Sequence, residues 1–468
     1  MLHKISYTIL FLIQTIILNA QEMKYLGFVE MDRDKFSLIG QFDSLLLIYR
    51  SSFTKNYIEA INPDFKSSKK TELDFPKGQF YFFRTINDKT TFSIIYGLQH
   101  KGKTEIRIKK LSPMGNEVYD TLVKGYSEIV PFGDIETVLS ENKQKLLTYH
   151  VNDISTMSWS VFDIENMSRA EEKFMNYKDL NSSLEEVHLS DKGDVFILMA
   201  QNSRYRRKYN QLILKSFLQD GKNYENSIVL SGIYLESMKF KFDEVNARLS
   251  GAALYSEKSY GAKGLISFRA EVPDTFTFTI NNFSDTLKTN LKGTKNNRNS
   301  GVEHLKINDL ILRRDGGFIA ISEQYVRYEY QMPSNFRNDF PSNRQVEFYY
   351  NNILLSSLYK NGSLHWNTVL YKNQKSENDD GRYSSYFLMK NPRGIRLIFN
   401  DEINWTSAVY EYELMPDGSQ QRKRIFPDAE IEDKDILPEF RKAIQISGNK
   451  IIFAQQKNNK LHFGSITY

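Results

Sequence analysis

A turn followed by a nearly unbroken apolar strand occurs eight times along this chain, and it constrains the fold more than any other feature. The turns are Asp43-Ser44, Asn87-Asp88, Glu141-Asn142, Asp191-Lys192-Gly193, Asp243-Glu244, Asp315-Gly316-Gly317, Arg393-Gly394 and Gly448-Asn449. Placed at 43, 88, 142, 192, 244, 316, 393 and 448, they leave five of seven intervals near fifty residues. A second, glycine-bearing turn recurs later in several units: Pro113-Met114-Gly115-Asn116, Gln219-Asp220-Gly221, Lys360-Asn361-Gly362 and Pro416-Asp417-Gly418. Asp-Gly and Asn-Gly supply the positive backbone angles of tight hairpins. Each unit therefore reads strand, tight turn, apolar strand, connection, strand, glycine turn, outer strand. Such a unit, repeated every forty to fifty residues, is the arithmetic of a propeller blade. Its apolar second strand would be buried on both faces between neighbouring sheets.

The expected fold is all-β: a single β-propeller over residues 21–468, of eight four-stranded blades, with seven as the alternative count. The last unit runs out of chain before a fourth strand. Met23 to Met31 is strand-like and otherwise unassigned, so its pairing into the last blade would close the ring and remove two exposed sheet edges. A pair of stacked sandwiches would not explain the even spacing. The two long intervals hold insertions at about 281–301 and 325–345. In the first, Ser284 to Leu291 suits one short helical turn capped by Ser284.

Residues 1–20 read as a secretory signal peptide: Lys4, an uncharged run from Ile5 to Leu18, then Asn19-Ala20-Gln21 at the cleavage point. The apolar run is too short and too interrupted by Ser6, Thr8, Gln14 and Thr15 for a spanning helix. No transmembrane segment is expected after cleavage. The chain has no cysteine, which excludes disulfides, thiolate chemistry, Cys-ligated zinc and a lipoprotein anchor. An exported chain of this size without disulfides leans towards a bacterium. The net charge of +5, from 62 basic and 57 acidic residues, does not point to nucleic acid, which an exported chain would not meet in any case.

The second insertion interleaves Tyr328, Tyr330 and Phe336 with Arg327, Arg337 and Arg344. Aromatics beside arginines on a loop suit recognition of a protein, a sugar or an extended peptide; the plainer alternative is a loop packing its own rings on the blade below. From Val346 to Glu402 the chain runs through Tyr349-Tyr350-Asn351-Asn352, Gly362-Ser363-Leu364-His365-Trp366, Lys372-Asn373-Gln374, Asp379-Asp380-Gly381, Ser384-Ser385-Tyr386 and Phe399-Asn400-Asp401. This segment resembles a group of exported, largely uncharacterised β-propeller proteins of Bacteroidota. The resemblance implies a cell-envelope location, periplasmic or outer-membrane associated, and no established activity. The connector Lys372 to Tyr383 would cross one end of the ring, making Gln374 and Tyr383 further binding candidates. Glu377, Asp379 and Asp380 offer oxygen ligands for calcium but lack the full alternating acidic pattern, so no metal is assigned.

Catalytic signatures are missing. The histidines His100, His150, His188, His304, His365 and His462 are scattered, with no His-Glu-x-x-His run. There is no Gly-x-Ser-x-Gly elbow, Walker loop or dinucleotide-binding glycine turn. No catalytic residue and no cofactor is assigned. The basic runs Arg204-Tyr205-Arg206-Arg207-Lys208 and Arg422-Lys423-Arg424 read as solvated strand edges before they read as binding patches. The expected function is a non-enzymatic binding or scaffold propeller with a protein partner in the envelope, a glycan being the second ligand class. The alternative is a carbohydrate-active or other hydrolytic propeller with acidic side chains at the central axis.

Overall fold

In a computed structural model, the protein is described at residues 22–31, 34–52, 55–152, 156–176, 182–202, 209–257, 261–293, 300–331, 344–392, 394–401, 403, 408–425 and 437–468. The signal-peptide segment and the basic run at 204–208 lie outside them.

Four-stranded antiparallel meanders follow one another along the chain. The first comprises Lys35–Phe42, Leu45–Ser51, Asn56–Ile61 and Ser67–Leu73. The second starts at Gln79–Asn87, the third at Ile135–Leu139, the fourth at Ser182–Leu189 and the fifth at Tyr234–Asp243. The sixth starts at Leu305–Leu312 and the seventh at Phe387–Asn391. The last holds Ile444–Ser447, Lys450–Lys457 and Lys460–Thr467. Its fourth strand is Glu22–Glu30, which pairs antiparallel with Lys460–Thr467 from Glu22↔Thr467 to Glu30↔Lys460. The fourth and fifth meanders share one hydrogen-bonded sheet, joined among the described residues through Tyr209 and Leu235.

The turns read from the sequence join the first and second strands of their meanders; Arg393 of the seventh lies outside the described residues. The second strands are the buried ones, as in Phe92–His100 and Arg248–Ser256. The four glycine turns join third to fourth strands, and Gly115, Gly221, Gly362 and Gly418 all have positive φ. At Gly418 a side chain is also sterically excluded. A Cβ there would lie 2.6 Å from the Trp366 ring of the preceding meander, whose Nε1 donates to Pro416 O at 3.1 Å.

The core lies between sheets. One cluster joins Tyr49 and Ile58 of the first meander to Ile94 and Tyr96 of the second. Another joins Leu212 of the fourth to Phe240 and Phe268 of the fifth. Leu355 of the sixth packs with Leu397 and Phe399 of the seventh. Val29, Ile452 and Phe463 of the last meander pack with Phe36 and Ile48 of the first. First strands are tied to one another by side chains. Arg84 Nη2 donates to Thr137 O (2.8 Å), Phe240 N to Glu186 Oε2 (2.7 Å), Lys241 Nζ to Leu310 O (2.8 Å) and Gln445 Nε2 to Lys390 O (2.7 Å). Radial sheets whose first strands converge and whose faces share cores make this a β-propeller.

The insertions part company with loops. The first forms the helix Asp285–Lys292. Ser284 Oγ accepts from Leu287 N (3.2 Å), and Gly293 ends the helix in the left-handed conformation. Its Leu287 and Leu291 enter the core between the fifth and sixth meanders. The described residues of the second insertion, 325–331 and 344–345, are strand rather than loop, as described next.

Candidate functional site

The second and third strands of the sixth meander, Phe318–Gln331 and Arg344–Leu358, have 14 and 15 residues, more than twice the usual strand length. Their pairing continues from Tyr325↔Tyr350 out to Gln331↔Arg344. Gln374–Glu377 adds a third strand, from Tyr350↔Gln374 to Glu347↔Glu377. The result is a three-stranded tongue continuing the sheet beyond its four-stranded part. The expected loop at 325–345 is therefore corrected at 325–331 and at 344–345. Tyr325-Val326-Arg327-Tyr328-Glu329-Tyr330 alternates aromatic or β-branched residues with polar ones, and that pattern favours a pleated strand. Phe336 and Arg337 lie outside the described residues. The connector after Lys372 is likewise part strand.

Alternation sorts the tongue into two faces. One carries Val326, Tyr328 and Tyr330 opposite Tyr349, Glu347 and Gln345, with Lys375 and Glu377 alongside. Tyr328 is 50% exposed and Tyr330 40%. Tyr328 and Tyr349 meet edge to face, their centroids 5.8 Å apart. Glu347 organises this face: it accepts from Tyr349 OH (2.8 Å) and pairs with Lys375 Nζ (2.8 Å). Hydrogen bonds from Lys375 first, then Tyr330 and Tyr349, hold its carboxyl down at about 2. In turn the Glu347 carboxylate pushes the Tyr330 phenol up to about 12. On the other face Glu329 sits between Arg327 (3.0 Å) and Arg344, and the Arg327 guanidinium lies 6.0 Å from the Phe348 ring centroid.

A titration follows from this geometry. The lowered carboxyl favours the ionised tongue above the ordinary value of 4.5, and that contribution is lost as pH falls from 4.5 towards 2. Carbon-detected NMR of the wild type is expected to place the Glu347 midpoint near 2. In Glu347→Gln the Tyr330 phenol is expected to fall back towards 10. An unchanged Tyr330 midpoint would refute the pairing.

Arg327, Tyr328, Tyr330 and Arg344 thus meet on one tongue. Gln374 and Tyr383 do not join them. Gln374 is fully buried; it accepts from Ser385 N (2.8 Å) and its Nε2 donates to Asn400 O. Tyr383 is half-buried, and its carbonyl accepts from Asn400 Nδ2 (2.8 Å). The calcium candidates separate too. Asp379 Oδ1 accepts from Gly381 N (2.9 Å) within its own turn, and Glu377 pairs with Lys375 (3.0 Å). Of the second basic run, Arg422 pairs with Asp401 and lies over Tyr410, and Lys423 pairs with Glu413 (3.1 Å). Both serve their own sheet.

No family model matches this chain, and no curated protein matches it. Among solved structures it is similar to the β-propeller domain of the Trilobed protease from Pyrococcus furiosus (12% identity, 85% of this chain and 98% of that one, TM-score 0.37). It is also similar to a member of the DUF4221 family from Bacteroides vulgatus (9%, 87% and 100%, TM-score 0.31). A third is a putative 6-phosphogluconolactonase from Bacteroides uniformis (11%, 85% and 98%, TM-score 0.37). Likenesses this distant carry no argument about activity, and the fold rests on the strand pairing above.

Sequence reading missed what anchors the tongue. Lys372 and Glu323 form an ion pair at 2.6 Å with their side chains 0% and 1% exposed. Lys372 Nζ also donates to Tyr350 O (3.0 Å) and Gln374 Oε1 (2.7 Å). Glu323 Oε2 accepts from Asn308 Nδ2 (2.9 Å) and Ser385 Oγ (2.8 Å). Burial lowers the Lys372 pKa, and the Glu323 carboxylate opposes that shift. The network joins the root of the tongue to the seventh meander through Ser385 and Asn400. A lone Lys in a polar connector gives no signal of this, since lysine is almost never fully buried unless paired.

Proposed function

We propose that this chain is a non-enzymatic binding or scaffold propeller that presents the tongue to a protein partner in a bacterial cell envelope. In this reading eight blades form the ring, and the N-terminal strand closes it within the last blade. The pairing of Glu22–Glu30 with Lys460–Thr467 and the core shared by the last and first meanders support closure. The signal-like leader supports export. One observation carries the binding role: Tyr328 and Tyr330 stand exposed on a rigid sheet rather than packing on the blade below. Exposed aromatics flanked by arginine are the usual anchors of protein interfaces. Among the described residues no helix is long and apolar enough to cross a membrane.

The test is a comparison of wild type with Tyr328→Ala/Tyr330→Ala in mild-detergent purification from native envelopes. The double variant is expected to lose the co-purifying partner by about tenfold or more while its melting temperature stays unchanged. Equal recovery of the partner would remove the tongue from the interface.

The hydrolytic alternative has one supporting observation, an axial cavity with acidic side chains. The acids that line it are Glu141 and Glu244, while the neighbouring Glu186 pairs with Lys239 (2.9 Å) and His188 (3.0 Å), and Asp309 with Lys241 (3.2 Å).

A further inference from the structure

The axial cavity has a chemistry of its own. About 500 Å3 in volume, it is an open cavity lined by the first strands of the third to seventh meanders and by two of the turns that follow them, within the range of small-molecule sites. Val138, Leu189, Phe242 and Ile311 give it apolar walls. Two of its three lysines are neutralised: Lys239 by Glu186, and Lys241 by Asp309 and the Leu310 carbonyl.

Lys390 is different. Its backbone N–H and carbonyl bond Gln445, but among the described residues its ammonium has no carboxylate or carbonyl partner. Lys390 is exposed to the cavity, yet protein crowds it. That crowding and the nearby Lys241 charge lower its pKa, while Asp309 and Glu141 oppose the shift. Glu141 lines the same cavity and is also without a partner among the described residues. Beside it Glu244 accepts from Asp191 N (2.7 Å). Burial and the neighbouring Asp191, Glu141 and Asp194 raise the Glu244 pKa. Apolar walls thus flank one exposed cation with no direct partner among the described residues and, within electrostatic reach of it, the exposed Glu141 carboxylate. A simple anion would answer the cation but be repelled by the acids. A simple cation would meet the reverse. A zwitterion with an apolar body answers both.

We propose that the axial cavity binds a small zwitterion with an apolar side chain, of the amino-acid or short-peptide class, its carboxylate on Lys390 and its ammonium at Glu141 and Glu244. This site is independent of the tongue.

Titration calorimetry of the full mature chain tests it with leucine, phenylalanine and leucyl-leucine as probes. N-acetyl-leucyl-leucine and leucyl-leucinamide serve as blocked controls. At least one free zwitterion is expected to bind, and blocking either end is expected to weaken binding about tenfold or more. Lys390→Met should cost a similar factor, and Glu141→Gln should weaken the free peptide but not the acetylated one. Absence of heat from all three probes at millimolar concentration would overturn the proposal. So would equal binding by a folded Lys390→Met protein, or acetylated peptide binding as tightly as free peptide. Loss of the tongue's partner leaves these readouts unaffected.

Discussion

Lys372→Met is expected to destabilise the protein by about 3–5 kcal/mol, the usual cost of removing one partner from a buried ion pair. The substitution keeps the side chain's volume, so it isolates charge from packing. It leaves Glu323 with a carboxylate in a site where its Lys372 contact at 2.6 Å is gone, although Asn308 and Ser385 still donate to the other oxygen. It also leaves Tyr350 O and Gln374 Oε1 without the lysine's N–H groups. The double variant Lys372→Met/Glu323→Leu is expected to recover part of the loss, since it removes the stranded charge but leaves Tyr350 O, Gln374 Oε1, Asn308 Nδ2 and Ser385 Oγ without these partners. Urea unfolding of the wild type, single and double variants measures this. An unchanged midpoint in the single variant would mean the pair does not anchor the tongue.

Removing residues 22–31 is expected to have an effect at least as large, because it strips the last meander of its edge strand. Met23, Val29 and Met31 are buried. At about 1.5–3 kcal/mol for each such side chain, their loss approaches the whole stability of an ordinary domain, about 5–15 kcal/mol. The deletion also exposes the N–H and C=O groups of Lys460–Thr467, an unpaired edge that templates aggregation. Arg50, buried against Asp34 (2.9 Å) and Glu59, donates to Glu30 O at 3.2 Å, and that bond is lost as well. The truncated chain is expected to elute as soluble aggregate in size-exclusion chromatography with light scattering. A stable monomer of native melting temperature would refute closure by this strand.

Much of the fold was legible because it depends on local patterns. A hairpin turn is specified by a few residues whose backbone angles only glycine, asparagine or aspartate tolerate cheaply, so Gly115, Gly221, Gly362 and Gly418 could be read directly. A strand buried on both faces is apolar along most of its length, which marked the runs Leu45 to Ile48 and Phe92 to Ile95. The Ser284 cap was legible for the same local reason. The binding candidates were legible only in part. Tyr328, Tyr330, Arg327 and Arg344 announced themselves by composition, but their secondary structure was misread, although the alternation from Val326 to Tyr330 already carried the strand pattern.

The sequence by itself determined the repeat, the turn chemistry and the β class, since each follows from residues adjacent in the chain. The tertiary structure alone decided which groups meet across tens to hundreds of residues. Glu323 finds Lys372, Glu22–Glu30 finds Lys460–Thr467, and Lys390 faces the same cavity as Glu141. It also sent Gln374 to the interior and Tyr328 to the surface. Residues of similar polarity take opposite places because burial depends on which hydrogen-bond partners the neighbouring sheet supplies, and a linear chain does not carry that information at any one position.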